Sequence, residues 1–373
     1  MNIKLWYRTL DYYLIVPVIF LLAISFVLVH SASPVIAQRL SLPQDYFIRR
    51  HIIYIILSLV TLITFSFLNV KTIFNLSFAG FTLFIILMVA VIILGMEAKG
   101  AKRWLHIFKI SIQPSEFMRP FFSVVIASIL ASRMKFRVHI SIVVFLLIFA
   151  LLLLQPDFSM SMLLTYSFVS QMLIACIPLL YFLCIAGIVT TGITTAYLCF
   201  PHIKQRVYNF LFFTQRDNFQ VTKSLEAFKR GQLTGVGPGE GSVKTFLPDC
   251  HTDFVFSVLA EEFGLIMCLA TLMLFGVISA RLFYVAYRES ELSNLLTILG
   301  ISMQFITQFI INIGVTLSIF PTTGITLPLL SYGGSSLLSS SIAIGIMLSF
   351  SRNQAIALNI RERIALGRYI INQ

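Results

Sequence analysis

The chain of 373 residues is 58% hydrophobic and 11% charged, with a formal net charge of +12. That balance excludes a soluble globular domain and a disordered chain, and marks a polytopic membrane protein. The five cysteines show no CxxC spacing and the six histidines no HExxH or paired-ligand spacing. Neither a disulfide framework nor a metal site is expected, and no nucleic-acid partner.

Apolar runs of about 17 to 25 residues, each able to cross roughly 30 Å of hydrocarbon at about 1.5 Å per residue, recur along the chain. About ten spans are expected, at residues 12–31, 51–69, 74–95, 115–132, 138–155, 158–175, 177–200, 253–280, 294–318 and 328–350. The predicted fold class is all-α: a single integral membrane domain over residues 1–373, with one large extracytoplasmic loop, about 201–252, between the seventh and eighth spans. The first run, Leu14 to Val29, followed by Ser31-Ala32-Ser33, imitates a signal sequence, but the many later spans favour an uncleaved anchor.

An even number of spans puts both termini on one side, with twelve Lys and Arg there and fifteen opposite, seven of these in loop 201–252. Long loops weigh little in the positive-inside rule, so the remaining count assigns the termini to the cytoplasm. Basic residues on the exported face then call for a reason, either an anionic ligand or the anionic headgroups of the outer leaflet.

In chain order, the first informative loop crowds Lys99, Lys102, Arg103 and Lys109 around Trp104. Such a cluster suits a diphosphate held at the membrane surface, or a plain aromatic anchor with basic flanks. The fourth span opens with Gln113-Pro114-Ser115-Glu116-Phe117-Met118-Arg119. Glu116 and Arg119, at i and i+3, can pair on one helix face and lock the bundle. In Gln155-Pro156-Asp157-Phe158 a proline turn joins two spans, and Asp157 is either a helix cap or a functional acid.

The loop Gly235-Val236-Gly237-Pro238-Gly239-Glu240-Gly241-Ser242-Val243-Lys244 lacks the ending and context of a phosphate loop, and reads as flexible backbone that can approach a ligand. It leads into LPDCHTDFVFSVLAEEFG, Leu247 to Gly264. Thr252 is a candidate N-cap, which puts Asp253 in the first turn of a helix near the water interface. The helix dipole there favours a carboxylate and partial desolvation opposes it, a combination that suits a general base. On a helical wheel Ser257, Ala260, Glu261 and Gly264 fall within about 80° of Asp253, while Glu262 lies on the far side and needs a partner from elsewhere. Buried acids cost about 2.5 to 3.5 kcal/mol on insertion scales, so both glutamates need hydrogen-bonded sites. Near the end, Pro321-Thr322-Thr323-Gly324-Ile325-Thr326-Leu327-Pro328 and Ser331-Tyr332-Gly333-Gly334-Ser335-Ser336 imply irregular backbone covered by protein or lining a cavity.

Together KGAKRW with IQPSEF, QPD, LPDCHTDFVFSVLAEEFG and PTTGITLPLLSYGGSS, in that order from Lys99 to Ser336, resemble the motifs of the SEDS family of cell-wall polymerases. The run GPGEGSVK joined to LPDCHTDF is more similar to the division (FtsW) branch than to the elongation (RodA) branch. The resemblance implies a peptidoglycan glycosyltransferase that polymerises lipid II on the outer face of the cytoplasmic membrane, with Asp253 as the catalytic acid of the HTDF motif. It further implies substrate contacts from Lys99, Lys102, Arg103, Lys109, Lys244, His251 and Thr252. Gln113, Ser115, Glu116, Arg119, Gln155, Asp157, Glu261, Glu262, Ser331, Tyr332 and Gly333 would support the site. Its partners would be lipid II, the nascent glycan, a class B penicillin-binding protein acting as transpeptidase, and other membrane proteins of the divisome. No cofactor is expected beyond a divalent cation accompanying the substrate diphosphate. Two positions depart from the family pattern: Arg119 stands where lysine is usual, and Ser159 where a glycine commonly follows QPD. A flippase for lipid-linked precursors, or a non-catalytic scaffold for the transpeptidase, are the alternatives that buried acids and broken helices leave open.

Overall fold

The structure, a computed structural model, describes residues 3–98, 101–107, 110–199, 204 and 215–371. A short helix α1 (Ile3–Arg8) precedes α2 (Tyr12–Arg39), α3 (Tyr46–Phe67) and α4 (Val70–Leu94). Strands β1 (Met96–Ala98), β2 (Ala101–Ile107) and β3 (Ile110–Ile112) then form an antiparallel sheet in the order β1-β2-β3. Helices α5 (Pro114–Ala131), α6 (Arg137–Leu154), α7 (Phe158–Ile174) and α8 (Leu179–Cys199) follow. After α9 (Gln215–Gly231) come α10 (Val255–Tyr287), α11 (Leu292–Thr316) and α12 (Gly334–Ile371).

Each predicted span is a helix, α2 to α8 and α10 to α12. Among the described residues seven of these, α2, α3, α4, α6, α10, α11 and residues 334–357 of α12, are long and apolar enough to cross a membrane. Helix α7 and residues 179–195 of α8 are apolar over a shorter length, and α5 carries Glu116 and Arg119. Both of the long expected loops carry secondary structure. The basic stretch around Trp104 is the small sheet, in which Met96, Glu97 and Ala98 pair antiparallel with Trp104, Lys102 and Ala101. Segment 201–252 contains α9 and a short 3-10 turn, Val243–Thr245.

The centre of the bundle is α5, in which every residue but Phe117, Ser128 and Ala131 is buried. It is surrounded by α4, α6, α7, α11 and α12. Helices α11 and α12 bury 67% and 83% of their most apolar windows, whereas α3 and α4 each bury only 22%. The latter therefore present outward faces, such as Ile53, Ile56, Leu57 and Val60 on α3, to lipid. At the terminal end Asp11 receives Arg281 Nε at 2.8 Å and Ser351 Oγ at 2.5 Å, while Arg352 donates to the carbonyls of Ser66 and Leu68. These bonds clamp the starts of α2 and α4 to α10 and α12.

Helix α10 is broken at Gly264, whose φ of 74° and ψ of −174° are accessible essentially only to glycine. The segment after α9 fills the break. Val236 and Gly237 donate their N–H groups to the carbonyls of Glu261 and Glu262 at 3.0 Å, and Leu265 and Ile266 donate to those of Gln232 and Leu233 at 2.9 and 3.2 Å. Backbone groups orphaned by the break are thus satisfied inside the bundle, as a low-dielectric setting requires. The approach is close enough to require glycine: a Cβ at Gly235 would lie 2.2 Å from the Glu262 carbonyl oxygen, and one at Gly264 2.4 Å from the Gly235 nitrogen. The polar stripe expected to run from Asp253 through Gly264 therefore ends at the break.

Gly264→Ala is expected to destabilise the folded protein by more than about 2 kcal/mol. Gly276→Ala in the same helix, where a Cβ meets nothing within 4 Å, should be neutral or stabilising by up to about 1 kcal/mol. Thermal unfolding of both variants in detergent checks the contrast.

Candidate functional site

Asp253 lies just before α10 rather than in its first turn, because the helix starts at Val255 with Phe254 at the N-cap. Thr252 does not cap it. Its hydroxyl donates to the Asp249 carbonyl at 3.1 Å, and that carbonyl also accepts the N–H groups of Thr252 and Asp253 at 3.1 Å. The resulting turn is stitched to the loop before α12: Ser331 Oγ donates to the Thr252 carbonyl at 2.5 Å, and the Tyr332 N–H to that of His251 at 2.9 Å. From α11, Asn312 Nδ2 donates to the carbonyls of Asp253 at 2.9 Å and Ile325 at 2.6 Å. Asp253 is partly exposed. Its Oδ2 lies 3.7 Å from where a Cβ would stand on Gly324, a residue with φ of 75°.

Beside that loop is an apolar cavity of about 450 Å³. Its walls include Met162 and Tyr166 of α7, Ile193 of α8, Ile306 of α11, and Thr322 and Thr323, and Arg103 of β2 stands in its lining. Arg103 donates to the Pro156 carbonyl and lies 3.8 Å from Asp157 Oδ1, while its buried Nε has no partner among the described residues.

Asp157 is buried and caps α7, accepting the Met160 N–H at 3.4 Å and Gln113 Nε2 at 3.1 Å, with Ser115 Oγ at 3.5 Å. Gln155 Nε2 donates to the Met88 carbonyl at 2.8 Å. Arg119 NH2 meets Glu116 Oε2 at 2.6 Å and its NH1 donates to Gln308 Oε1 at 2.7 Å. A guanidinium has donors for both partners in a fixed fork, which accounts for the arginine at this position. Ser159, the other departure, donates its hydroxyl to the Thr323 carbonyl at 2.7 Å and so ties the start of α7 to the cavity wall.

The two glutamates hold the segment inserted at the helix break. Glu261 accepts the N–H groups of Ser242 and Val243 at 2.8 and 2.9 Å, with Arg230 Nε at 3.7 Å. Glu262 finds its missing partner in Lys244, at 2.6 Å, and also accepts Ser31 Oγ at 2.5 Å and the Gly239 N–H at 3.1 Å. Lys244 spends its other donors on Ser31 Oγ and the Gly239 carbonyl, both at 2.8 Å. Its three ammonium donors are filled, so the expected substrate contact from Lys244 is corrected to a buried structural role.

Two other expected substrate contacts, His251 and Thr252, are engaged within the protein. His251 is buried, its ring 5.2 Å from Phe47 and 5.0 Å from Tyr332, so it packs rather than opening to a ligand. Thr252 turns its hydroxyl to its own loop. Lys102 is exposed on β2, whereas Lys99 and Lys109 lie outside the described residues. Gly333 and Ser335 join the support: the Gly333 carbonyl accepts the Leu337 N–H at 2.9 Å, and Ser335 Oγ accepts the Gln113 N–H at 3.1 Å. Cys250 next to the site is a packing group, its thiol pushed up to about 12 by burial. Sequence reasoning missed Asn312 at the site, and with it the buried amide row that runs away from the site through Gln308 and Gln304. Their spacing of four in a helix was the available signal, since it aligns one amide per turn on a single face.

Residues 12–356 match the profile of the FtsW, RodA and SpoVE cell cycle protein family. The chain belongs to that family. It is 34% identical over 369 residues to the probable peptidoglycan glycosyltransferase FtsW of Caulobacter vibrioides, covering 98% of this chain and 95% of that protein. The corresponding protein of Coxiella burnetii is 36% identical over 358 residues, covering 91% and 95%. Among solved structures, a chain from a peptidoglycan synthase complex coordinating polymerization and crosslinking superposes with a TM-score of 0.77 at 27% identity, covering 92% of this chain and 98% of that one. The rod shape determining protein RodA of Thermus thermophilus gives 0.68 at 25% identity, covering 92% and 97%. The family is the one the four motifs resemble.

Lys244→Met alone strands the Glu262 carboxylate in the bundle and is expected to cost about 3 to 5 kcal/mol. Removing both charges in Lys244→Met/Glu262→Gln should recover most of that loss. Thermal unfolding of the single and double variants reads the coupling.

Proposed function

We propose that this chain is a peptidoglycan glycosyltransferase that polymerises lipid II into glycan strands, with Asp253 as general base. The observation that carries the reading is juxtaposition: a partly exposed carboxylate beside Gly324, next to Thr322 and Thr323 in the wall of an apolar cavity that also holds Arg103. A polyprenyl diphosphate is an apolar chain ending in anionic charge, and the cavity with its arginine matches both parts.

In the reaction, Asp253 takes the proton from the 4-hydroxyl of the acceptor sugar as that oxygen forms a bond to the anomeric carbon of the donor. The bond from that carbon to the diphosphate breaks on the opposite face, which inverts the centre and releases undecaprenyl diphosphate. Arg103, which stands in the cavity lining, is the cation available to the departing charge, in a site where water is scarce and charge stabilisation counts for more. Among the described residues no three His, Cys, Asp or Glu side chains converge. A divalent cation arriving with the substrate would take its ligands from the diphosphate and water.

The charge count supports cytoplasmic termini, which puts the Asp253 end of the bundle on the outer face of the cytoplasmic membrane. The FtsW relatives support a role at the division septum. The synthase-complex neighbour supports a crosslinking partner, and a class B penicillin-binding protein fits that role.

Purified protein with its cognate transpeptidase, given lipid II in detergent, is expected to make glycan strands resolved on a gel. Asp253→Asn should abolish them with the fold intact. Undiminished polymer from that variant would overturn the base assignment, and none from the wild type would favour a flippase or scaffold. In the same assay Arg103→Met should lower the rate by about a hundred- to thousandfold, the range for one donor to a developing anion.

A further inference from the structure

The carboxylate of a general base works only when held at the right distance and angle from the proton it takes, and misplacement by about 1 Å can cost two orders of magnitude. Asp253 precedes its helix, so the hydrogen bonds of α10 do not hold it. Its turn is fixed through its carbonyls, by Tyr332 N–H at His251, Ser331 at Thr252 and Asn312 at Asp253 itself. Asn312 alone among these reaches Asp253 from a different helix. Its one amide nitrogen also donates to Ile325, the residue after Gly324, so both sides of the carboxylate's position are fixed to the same atom.

Asn312 is buried at 1% exposure, which makes its two bonds immune to competing water. It is the outermost of an amide row on α11. One turn inward, Gln308 donates to the Thr326 carbonyl at 2.9 Å and accepts from Arg119 at 2.7 Å. A further turn inward, Gln304 donates to the Arg119 carbonyl at 3.1 Å and to Ser123 Oγ at 2.9 Å. The row binds the loop before α12 to the Glu116–Arg119 pair, and only its last member touches the Asp253 turn.

We propose that Asn312 is a positioning residue for the Asp253 base: its amide holds the Asp253 and Ile325 carbonyls together and so sets the carboxylate against Gly324 at the cavity wall. The inference rests on the reading of Asp253 as base. Asn312→Leu keeps the size of the side chain but removes the donor, and Asn312→Asp keeps the shape while turning an acceptor toward two carbonyls. Both should lower kcat at least tenfold with KM for lipid II within about twofold, because the substrate's cavity is untouched. Gln304→Leu is the control, since it removes buried amide bonds of the same row at a distance from Asp253. At matched loss of thermal stability it should retain a kcat within about threefold of wild type.

The steady-state assay uses the full chain with its transpeptidase partner and lipid II, alongside Asp253→Asn. If Asp253→Asn is inactive while Asn312→Leu and Asn312→Asp keep the wild-type kcat, the positioning role is wrong and the base assignment stands. A raised KM at unchanged kcat also overturns it, and so does an equal kcat loss in Gln304→Leu, which assigns the effect to packing. If Asp253→Asn is fully active, the base assignment fails, and the positioning role fails with it.

Discussion

Glu262 and Lys244 approach to 2.6 Å where neither reaches solvent, and this pair decides how the segment between α9 and α10 can fold. An unpaired charge inside hydrocarbon is prohibitive, so once α10 carries Glu262 inward, the lysine eighteen residues earlier must follow it. The path of residues 232–244 into the broken helix follows from that requirement. Glu261 closes the segment by accepting the N–H groups of Ser242 and Val243 at the start of the 3-10 turn. From there the chain returns through Leu247 and Cys250 to Asp253 with little freedom left. The two deep acids thus build the frame in which the shallow one is presented.

The same economy governs the outer end of the bundle. The QPD and QPSE motifs meet at Asp157, which caps α7 and gathers Gln113, Ser115 and Arg103. Arginine is thereby brought to an apolar cavity by a carboxylate already committed to architecture. On the opposite wall, loop 317–333 has no regular backbone pairing of its own, and side chains of α7, α11 and α12 satisfy it at Thr323, Ile325 and Thr326. Irregular backbone at this depth is tolerable because the surrounding helices supply those bonds. In return, it allows small residues to stand beside Asp253.

The spans were legible because about twenty apolar residues have one good solution in hydrocarbon, the helix. The small sheet was not, since strands of three residues around a dense run of Lys and Arg leave no periodic signal. A helical wheel assumes an unbroken helix, and for that reason Gly264 read as part of a stripe rather than as its end. The run of glycines from Gly235 reads as flexibility in sequence, although two of its relatives in space, Gly235 and Gly264, are glycine because backbone meets backbone there. In sequence Lys244 suits a substrate contact, because a basic residue on an exported loop fits either a ligand or a buried acid and spacing does not distinguish them. Asp253 itself was located correctly to within two residues of the helix start. The bonds that hold it, from Asn312, Ser331 and Tyr332, come from tertiary neighbours.

In the proposed arrangement one cavity would hold the lipid tail, Arg103 would meet the diphosphate, and Asp253 the reacting hydroxyl. A cryo-electron microscopy structure of the Asp253→Asn variant with its transpeptidase partner and bound lipid II measures this directly. The account predicts polyprenyl density between α7, α8 and α11, phosphate oxygens within hydrogen-bond distance of the Arg103 guanidinium, and a sugar hydroxyl within about 3 Å of the side chain at position 253. A lipid-linked substrate bound with its diphosphate away from Arg103 and its sugars out of reach of position 253 would contradict it.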